Sequence, residues 1–341
     1  MENNSRLDSS SECEYNSQKT TKNEEESEIR SMFHIQNGVL TEFYGKSSFY
    51  MKAYDNQSEE DEELYLRCAN EKNIKIPNGV TKIGKNAFSG STIETVLIPD
   101  SVTVIESGAF KDCRSLENIE LPNGLIKICD GAFANCINLT SIEIPSSVTE
   151  IYNGFINCTK IRKMTVHKDN PNYCFEDGAL YTKDKQTLVS YFYSDDSKTF
   201  IVPDTVKTIG ECAFYRCIDL TNVVIPEGVE KIGKKAFKEC HGLESIQMPK
   251  NLKSIGEEAF AACTKIKNIE IPHGVTEISK YAFAACSNLT SVKLPDGVLK
   301  VRDGAFMECK SLESILIPSS VTKIERSAFH GCVRLYLNYP S

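Results

Sequence analysis

Fourteen cysteines are the side chains of this 341-residue chain best suited to chemistry, because thiolates bind metal ions, form disulfides and act as nucleophiles. Nine of them share one column of a repeated pattern: Cys113, Cys136, Cys158, Cys217, Cys240, Cys263, Cys286, Cys309 and Cys332. A zinc site of the finger type needs two ligand pairs. Cys212 and Cys217 have the spacing of one pair, but Cys217 belongs to the column and no second pair follows. We therefore predict no metal site and no cofactor.

The geometry of the cysteine column disfavours disulfides. Neighbouring strands lie about 5 Å apart, so thiols stacked on successive repeats would keep their Cβ atoms about 5 Å apart. A disulfide needs a Cβ separation of about 3.8 Å. We predict a ladder of small buried thiols instead, since a free cysteine packs as a small apolar side chain. So many unpaired thiols favour a reducing compartment, which makes the cytoplasm the expected location.

The other candidates for catalysis do not converge. The histidines are scattered, at positions 34, 167, 241, 273 and 330, and the chain has no GxSxG, HExxH, Walker or Rossmann glycine motif. The carboxylates of Glu120, Glu143 and Glu270 recur at one position of the repeat, which places them along a surface rather than opposite each other in a cleft. We predict that the protein is not an enzyme.

The elements that position these residues follow from ten prolines, at positions 77, 99, 122, 145, 203, 226, 249, 272, 295 and 318. Seven of the nine intervals are 23 residues, one is 22 and one is 58, and self-similarity at such a period indicates a solenoid. Segments such as Asn118–Leu121 alternate polar and apolar residues, which predicts a strand before each proline. Ile225–Gly228 has the preferences of a type I turn with proline second. Phe237, Cys240 and Leu243, spaced by three, fit one helical or 3₁₀ turn with a buried side.

The pattern IPxxVxxIGxxAFxxCxxL, found over about residues 72–335, resembles the BspA-type, or treponemal-type, leucine-rich repeat. The resemblance implies an α/β solenoid: a right-handed superhelix of ~23-residue coils with a parallel β-sheet on one face and short helical or 3₁₀ turns opposite. It also implies a role in binding proteins or host surfaces, and no catalytic residues. Two coils depart from the pattern and are expected to be irregular. Coil one has Ser91 in place of cysteine, and coil four is one residue short, with Gly154 in place of alanine.

The regions outside the regular repeats divide the chain further. Residues 1–31 are polar and charged and are predicted to be disordered. Residues 32–71 contain Asn37-Gly38 between strand-like runs, which predicts a type I′ hairpin that caps the first coil, followed by an acidic connector. The run Glu59–Glu63 favours a solvated loop; the alternative is a partner-facing segment or one phosphorylated at Ser58. Residues 336–341 are expected to close the stack, because Asn338 stands where an inward isoleucine belongs.

The 58-residue interval contains an expanded coil at residues 167–202. Ala179–Thr182 and Thr187–Tyr191 are predicted to be strands joined by a turn at Lys183–Gln186. The coil brings six aromatic residues: Tyr173, Phe175, Tyr181, Tyr191, Phe192 and Tyr193. Either they pack the wider coil, or some of them, with Tyr191 and Tyr193 as the candidates, form an exposed contact patch.

If the coils stack as predicted, their outward strand residues form a continuous surface suited to contacts with another protein. The candidate contact residues on this surface are Asn118, Glu120, Glu143, Asn222, Gln247, Asn268, Glu270 and Lys293. The alternative is an ordinary sheet exterior. The net charge of −8 and pI of about 5.4 make a nucleic acid an unexpected partner. The sequence contains no run of 18 apolar residues, so we predict no membrane insertion.

Two functional hypotheses follow. The first is a monomeric cytoplasmic scaffold that binds a partner protein through the strands. The second is a secreted or cell-surface adhesin that binds host or matrix proteins, as the resemblance suggests. The first thirty residues lack the apolar core of a secretory signal, which favours the scaffold. Asn-x-Ser/Thr triplets, including those at Asn138 and Asn288, are compatible with export.

Overall fold

A computed structural model of the protein describes residues 27, 29–46, 59–192 and 198–338, without the side chains of residues 60, 61, 337 and 338. The chain winds into a solenoid of about 11 stacked turns with a period of ~23 residues, which confirms the predicted fold. Helix α1 spans Glu59–Ala69. We number the coils by the aromatic residue of their turn segment, so that coil one carries Phe88, coil four Phe155, the expanded coil five Tyr191 and coil six Phe214.

The strands of the N-terminal half are β1 (Phe33–Gln36), β2 (Val39–Phe43), β3 (Asn73–Lys75), β4 (Lys82–Ile83), β5 (Thr95–Leu97), β6 (Val104–Ile105), β7 (Asn118–Glu120), β8 (Lys127–Ile128), β9 (Ser141–Ile144), β10 (Glu150–Ile151) and β11 (Lys163–Val166). Those of the inserted sheet are β12 (Tyr173–Glu176), β13 (Ala179–Thr182) and β14 (Thr187–Tyr191). Those of the C-terminal half are β15 (Thr199–Ile201), β16 (Thr208–Ile209), β17 (Asn222–Val224), β18 (Lys231–Ile232), β19 (Ser245–Ile246), β20 (Ser254–Ile255), β21 (Asn268–Glu270), β22 (Glu277–Ile278), β23 (Ser291–Lys293), β24 (Lys300–Val301), β25 (Ser314–Leu316), β26 (Lys323–Ile324) and β27 (Tyr336–Asn338).

Each regular coil has three sides that hydrogen-bond to the next coil. The strand side carries the strands before each proline, which pair in parallel in the orders β3-β5-β7-β9-β11, β15-β17-β19 and β21-β23-β25-β27. The second side carries the two-residue strands after the proline turn, for example β4-β6-β8-β10. The turn side carries the Ala-Phe-x-x-Cys-x-x-Leu segment, where the N–H of Phe110 donates to the carbonyl of Ala132 over 2.7 Å. The sequence predicted only the first of these two parallel sheets.

The turn side differs from the expected helical or 3₁₀ turn. Its segments are successive β-turns, such as those closed by Cys240 N–H to Phe237 C=O and Leu243 N–H to Cys240 C=O. Lys235, just before these turns, and Glu239, inside the first of them, have φ of 56° and 61°, which a right-handed helix does not allow. At the residues with positive φ, alternate N–H groups point toward the next coil. These groups therefore form hydrogen bonds between coils instead of the bonds of a helix within one coil.

The turn after each proline also differs in register from the prediction. The closing hydrogen bond runs from Val229 N–H to Pro226 C=O over 3.1 Å, and the same bond recurs after the other prolines from Pro99 to Pro318. Proline therefore occupies the first position of the turn, one residue earlier than its usual place. The carbonyl of proline remains available although its nitrogen cannot donate.

Stacked phenylalanines form the spine of the solenoid. Ring centroids of successive coils lie 5.0 to 5.3 Å apart from Phe88 to Phe155 and 4.8 to 5.5 Å apart from Phe214 to Phe329, with nearly parallel planes. Coil four keeps its place in the stack although it is short. A Cβ on Gly154 would lie 2.7 Å from Cγ2 of Ile128, so the coil has no room for the usual alanine.

The cysteine column is a ladder of thiols without disulfides among the described residues, as predicted. The thirteen cysteines in the described part are free. In each regular coil from coil two onward, with the exception of coil six, the thiol donates to the phenylalanine carbonyl of the preceding coil, as from Cys263 to Phe237 over 3.0 Å. Ser91 continues the column in coil one, with its Oγ 3.3 Å from the Cys113 sulfur. The thiols therefore also satisfy buried carbonyls, a role that packing alone does not predict.

The inserted antiparallel sheet β12-β13-β14 separates the core into two parts. The predicted strands β13 and β14 are confirmed, and β12 is an additional strand joined to β13 by Asp177 and Gly178, both with positive φ. Leu180 belongs to the N-terminal core, whereas Ala179 and Tyr181, on the other face of the same strand, belong to the C-terminal core. The two clusters share no buried residue.

The N-terminal end is closed by the predicted hairpin. β1 and β2 are antiparallel, and Asn37 and Gly38 have the positive φ of a type I′ turn. The ring of Phe43 packs against Phe88 in a tilted arrangement, with the centroids 5.1 Å apart. The acidic run was expected to be a loop, but Glu59–Glu63 forms the start of α1. Carboxylates near a helix N-terminus are stabilised by the helix dipole, and Cys68 at the other end is fully buried.

The C-terminal end also differs from expectation. β27 pairs in parallel with β25 and aligns Asn338 with Leu316, whereas the sequence pattern aligned it with an inward isoleucine. The strand side therefore continues through Asn338 rather than ending at residue 335. Phe329 and Leu335 of the last coil are only partly buried, because no further coil covers them among the described residues.

Candidate interaction surface

The outward residues of the strand side form two neighbouring columns, which we call the strand face. The first column contains Thr95, Asn118, Ser141, Lys163, Thr199, Asn222, Ser245, Asn268, Ser291 and Ser314. The second contains Leu97, Glu120, Glu143, Thr165, Ile201, Val224, Gln247, Glu270, Lys293 and Leu316, with Gln247 directly after β19. Eight of the ten predicted contact residues therefore lie on the strand face, because residues two apart in a strand point to the same side.

Several side chains of the first column hydrogen-bond to each other. Ser291 Oγ donates to Asn268 Oδ1 over 2.7 Å, Thr95 Oγ1 donates to Asn73 Oδ1 over 2.6 Å, and Ser141 contacts Asn118 at 3.4 Å. These bonds link neighbouring coils. The first column therefore helps to hold the coils together. The second column carries most of the variation in side-chain chemistry.

The strand face opens into two depressions where strand pairing lapses. The N-terminal depression, about 500 Å³, is lined by Asn118, Glu120 and Glu143 together with Lys163 and His167. It lies where β7 and β9 pair only through Asn118 and Ser141.

The C-terminal depression, about 790 Å³, lies between β19 and β21, which belong to different sheets. Its rim carries Gln247, Asn268, Glu270 and Lys293, and its floor includes the buried Met248. Seven of the predicted contact residues thus line one of the two depressions. Asn222 lies between them, on β17.

The two depressions differ in charge. In the C-terminal one, Lys293 Nζ lies 2.5 Å from Glu270 Oε1, and this hydrogen bond lowers the pKa of the Glu270 carboxyl. In the N-terminal one, Glu120 and Glu143 occupy equivalent positions of adjacent coils, and neither has an ion pair with a described residue within 4.0 Å. Like charges side by side on a sheet are unfavourable. Lys163 is the only lysine or arginine among the described lining residues, so the two carboxylates outnumber it and a cationic group of a partner would be favoured.

The aromatic candidates of the expanded coil do not form a contact patch in the described part. Tyr191 is 7% exposed and packs against Phe200 and Phe214, with ring centroids 4.6 and 5.3 Å away, so its proposed role in binding is wrong. Tyr173, Tyr181 and Phe192 are buried as well, which confirms the packing alternative for them. Tyr193 lies outside the described residues.

Sequence reasoning missed an exposed aliphatic pair in the middle of the strand face. Ile201 on β15 and Val224 on β17 are aligned neighbours, 69% and 45% exposed. The signal was available in the alternation of Thr199-Phe200-Ile201 before Pro203, which matches the other strands. Adjacent exposed aliphatic side chains favour contact with an apolar group.

The described residues contain no cluster of three or more histidine, cysteine or carboxylate side chains suited to a metal ion. The thiols are poorly placed for nucleophilic chemistry, since burial raises the pKa of Cys240 and Cys286 to about 12 and keeps them protonated. In the same part of the chain, no helix has the length and apolar character that crossing a bilayer requires.

Comparison with known proteins connects this geometry to a family. Residues 59–181 and 188–309 match the family model of the BspA type leucine rich repeat region, in six copies. No protein of curated function matches the chain.

Three solved structures resemble the chain. A leucine-rich repeat protein from Eubacterium ventriosum is 28% identical, with 79% of each chain covered and a TM-score of 0.64. A leucine rich cell surface protein from Faecalibacterium prausnitzii is 30% identical, with 79% of each chain covered and a TM-score of 0.54. The pneumococcal vaccine antigen PcpA is 24% identical over 79% of this chain and 74% of its own, with a TM-score of 0.65, a likeness of fold alone.

Proposed function

The chain belongs to the BspA-type leucine-rich repeat family, and from this premise we propose that it is a non-enzymatic interaction module whose strand face binds a partner protein. The observation that carries the proposal is the second column of the strand face. Its side chains change from coil to coil, and they line two open depressions on an otherwise regular scaffold. Such a surface suits an extended contact better than a small substrate.

The partner chemistry follows from three parts of the face. Glu120 and Glu143, which have no ion pair with a described residue, offer two carboxylates to a lysine or arginine of the partner. Ile201 and Val224 offer an apolar contact in the middle. Gln247, Asn268, Glu270 and Lys293 offer hydrogen bonds around the C-terminal depression. This acidic and aliphatic surface is unsuited to a phosphate backbone.

We place the protein in the cytoplasm as a monomer. The free thiol ladder supports this location, because its cysteines are reduced and each regular one that donates to a carbonyl of the preceding coil does so through its S–H group. Oxidation would remove those donors. The buried ladder has no need of an oxidising compartment for stability.

A surface adhesin is the second candidate, and one observation favours it. The Faecalibacterium prausnitzii protein that this chain resembles at 30% identity is described as a cell surface protein. On this alternative the strand face would bind host or matrix proteins instead of a cytoplasmic partner.

Glycan analysis separates the two candidates. For a cytoplasmic protein we expect Asn138 and Asn288 to be unmodified in protein isolated from its natural source, since glycosylation of Asn-x-Ser/Thr marks a secreted chain. Asn288 is exposed and would accept a glycan if the chain met the modifying enzymes. Mass spectrometry of the tryptic peptides measures this, and a glycan at either residue would establish the adhesin and rule out the scaffold.

Charge reversal on the strand face tests the binding surface. The triple variant Glu143→Arg, Gln247→Arg and Glu270→Arg should reduce recovery of the partner by proximity labelling or pull-down at least about 10-fold, because it reverses both depressions. The matched control Thr149→Arg, Ser254→Arg and Thr276→Arg changes exposed residues on the second side of the same coils. Undiminished recovery with the first triple, or equal loss with the second, would remove the strand face from consideration.

A further inference from the structure

A cleft of about 310 Å³ opens on the turn side, away from the strand face, where coil four meets coils five and six. We call it the lateral cleft. Its lining includes Phe155, Cys158, Phe192, Ala213 and Leu220. It exists because the turn-side stacking that joins all other neighbouring coils is interrupted here: Phe155 meets Phe192 edge-on, with centroids 6.0 Å apart, instead of stacking on it.

The backbone of the first wall has hydrogen-bond donors without acceptors. In coil three, Phe133 N–H donates to Gly154 C=O over 2.7 Å and Asn135 N–H donates to Ile156 C=O over 2.9 Å. The equivalent donors of coil four are Phe155 and Asn157, which line the cleft, and neither N–H has an acceptor among the described residues.

The opposite wall has the complementary defect. In coil seven, the carbonyl of Lys238 accepts from Arg216 N–H over 2.9 Å. The equivalent carbonyl in coil six is that of Tyr215, which lines the cleft and accepts no hydrogen bond from a described residue. Unpaired backbone donors on one wall and an unpaired acceptor on the other are the groups that one more polypeptide segment would satisfy.

The side chains indicate what that segment should carry. Phe155, Phe192 and Ala213 are at most 5% exposed and provide an apolar floor, and Ile218 at the mouth is 48% exposed. Around them lie the cations Lys160 and Arg216, and Asp219 is the one carboxylate among the described lining residues. Arg216 has only a long contact to Glu239, at 3.6 Å. An apolar side chain flanked by carboxylates matches this arrangement.

We propose that the lateral cleft binds a short segment of another polypeptide, with an apolar side chain on the floor, flanking carboxylates toward the cationic rim, and backbone groups paired with Phe155, Asn157 and Tyr215. This is addition of a segment to an incomplete hydrogen-bond ladder, a known mode of peptide recognition. The site is separate from the strand face, so the protein would hold two partners, or two regions of one partner, at once.

A synthetic peptide tests the proposal. The probe is the acetylated, amidated, fluorescein-labelled peptide EAFEDAEDLE, which keeps the Ala-Phe-x-x-x-x-x-Leu spacing of the turn segment and carries carboxylates at the remaining outward positions. The charge-reversed peptide KAFKKAKKLK is the control ligand. With the full-length protein, fluorescence anisotropy should show binding of the acidic peptide and binding of the basic peptide at least about 10-fold weaker.

Two matched protein variants locate the binding. Ile218→Asp places a charge at the mouth and should weaken the acidic peptide about 10-fold or more. Ile137→Asp makes the same change at the equivalent position of coil three, where the ladder is intact, and should leave binding unchanged. Absence of binding to the unaltered protein, or equal weakening by both variants, would overturn the proposal.

Hydrogen exchange provides a second measurement. In the free protein the amides of residues 153–158 should exchange at least about 10-fold faster than those of residues 131–136, and the acidic peptide should slow only the former. The chain's own residues 193–197 are the competing occupant. If replacing residues 194–197 with Gly-Ser-Gly-Ser tightens peptide binding about 10-fold or more, the cleft is filled from within the chain and the proposal of an external partner is wrong.

Discussion

Replacing Phe260 by alanine lowers the free energy of unfolding by an expected 3–5 kcal/mol, about the cost of a cavity the size of a phenylalanine ring. The ring is fully buried and stacks between Phe237 and Phe283 at 5.0 and 5.3 Å. The coils on either side cannot close the gap, because their backbones are held apart by ladders on the turn side, such as Phe260 N–H to Ala282 C=O at 2.8 Å. Urea unfolding followed by circular dichroism measures the change.

The control for this substitution is Phe329→Ala in the last coil. Phe329 is only partly buried and stacks on one neighbour, Phe306, at 5.5 Å. Its loss should cost about 1–2 kcal/mol, since less apolar area returns to water. Equal costs at the two positions would contradict the view that each coil is stabilised by the neighbours on both of its sides.

Alkaline pH should unfold the protein by ionising its buried thiols. Desolvation by burial raises the pKa of Cys113, Cys158, Cys212, Cys240 and Cys286 from 9.0 to about 12. The folded state then holds protons that the unfolded chain releases, so the stabilisation from these groups is complete below pH 9 and is lost as pH rises toward 12. In that window each thiol lowers the free energy of unfolding by about 1.4 kcal/mol per pH unit. For the five thiols together, this is about 7 kcal/mol at one unit above 9.0. That loss is comparable with the whole stability of an ordinary domain.

The measurement is the urea midpoint at a series of pH values from neutral upward. The variant Cys240→Ala separates titration from packing: it should be less stable than the original at neutral pH, because it loses the S–H bond to Phe214 C=O at 2.9 Å, yet lose stability less steeply above pH 9. A midpoint independent of pH up to about 10 would show that the unfolded chain gains nothing by releasing these protons.

Much of the fold follows from local sequence. The period of 23 residues fixes the number of stacked coils, and alternation such as Asn118-Ile119-Glu120 fixes which side chains face outward. Asn37-Gly38 was sufficient for the type I′ hairpin, because both residues tolerate positive φ. These features depend on residues close together in the chain, where single-residue preferences decide the outcome.

What the sequence did not provide depends on contacts between coils. Lys235 and Glu239 adopt positive φ without being glycine or asparagine, because bonds to the next coil compensate the local strain. The two-residue strands such as β18 are too short to leave a periodic signal. Tyr191, at the end of a predicted strand, was a candidate for an exposed contact, but it packs against Phe200 and Phe214 and is buried.

The candidate site was partly predictable for the same reason. The outward columns follow from strand alternation, but the depressions around Glu143 and Gln247 follow from where neighbouring strands stop pairing. Nothing in the sequence of a single coil specifies that separation. The ion pair of Glu270 with Lys293, and the lack of one at Glu120, likewise require knowing which coils are adjacent.

The partition of the core by the sheet β12-β13-β14 affects how damage spreads through the molecule. Leu180 and Tyr181 face separate apolar clusters, so a lesion at Phe260 loosens the cluster that contains Tyr181 and leaves the cluster of Leu180 with its own contacts. We therefore expect the two clusters to lose their packing in separate steps on unfolding. The depression around Glu143 is lined from the N-terminal side of this sheet, so we expect it to keep its shape after damage at Phe260.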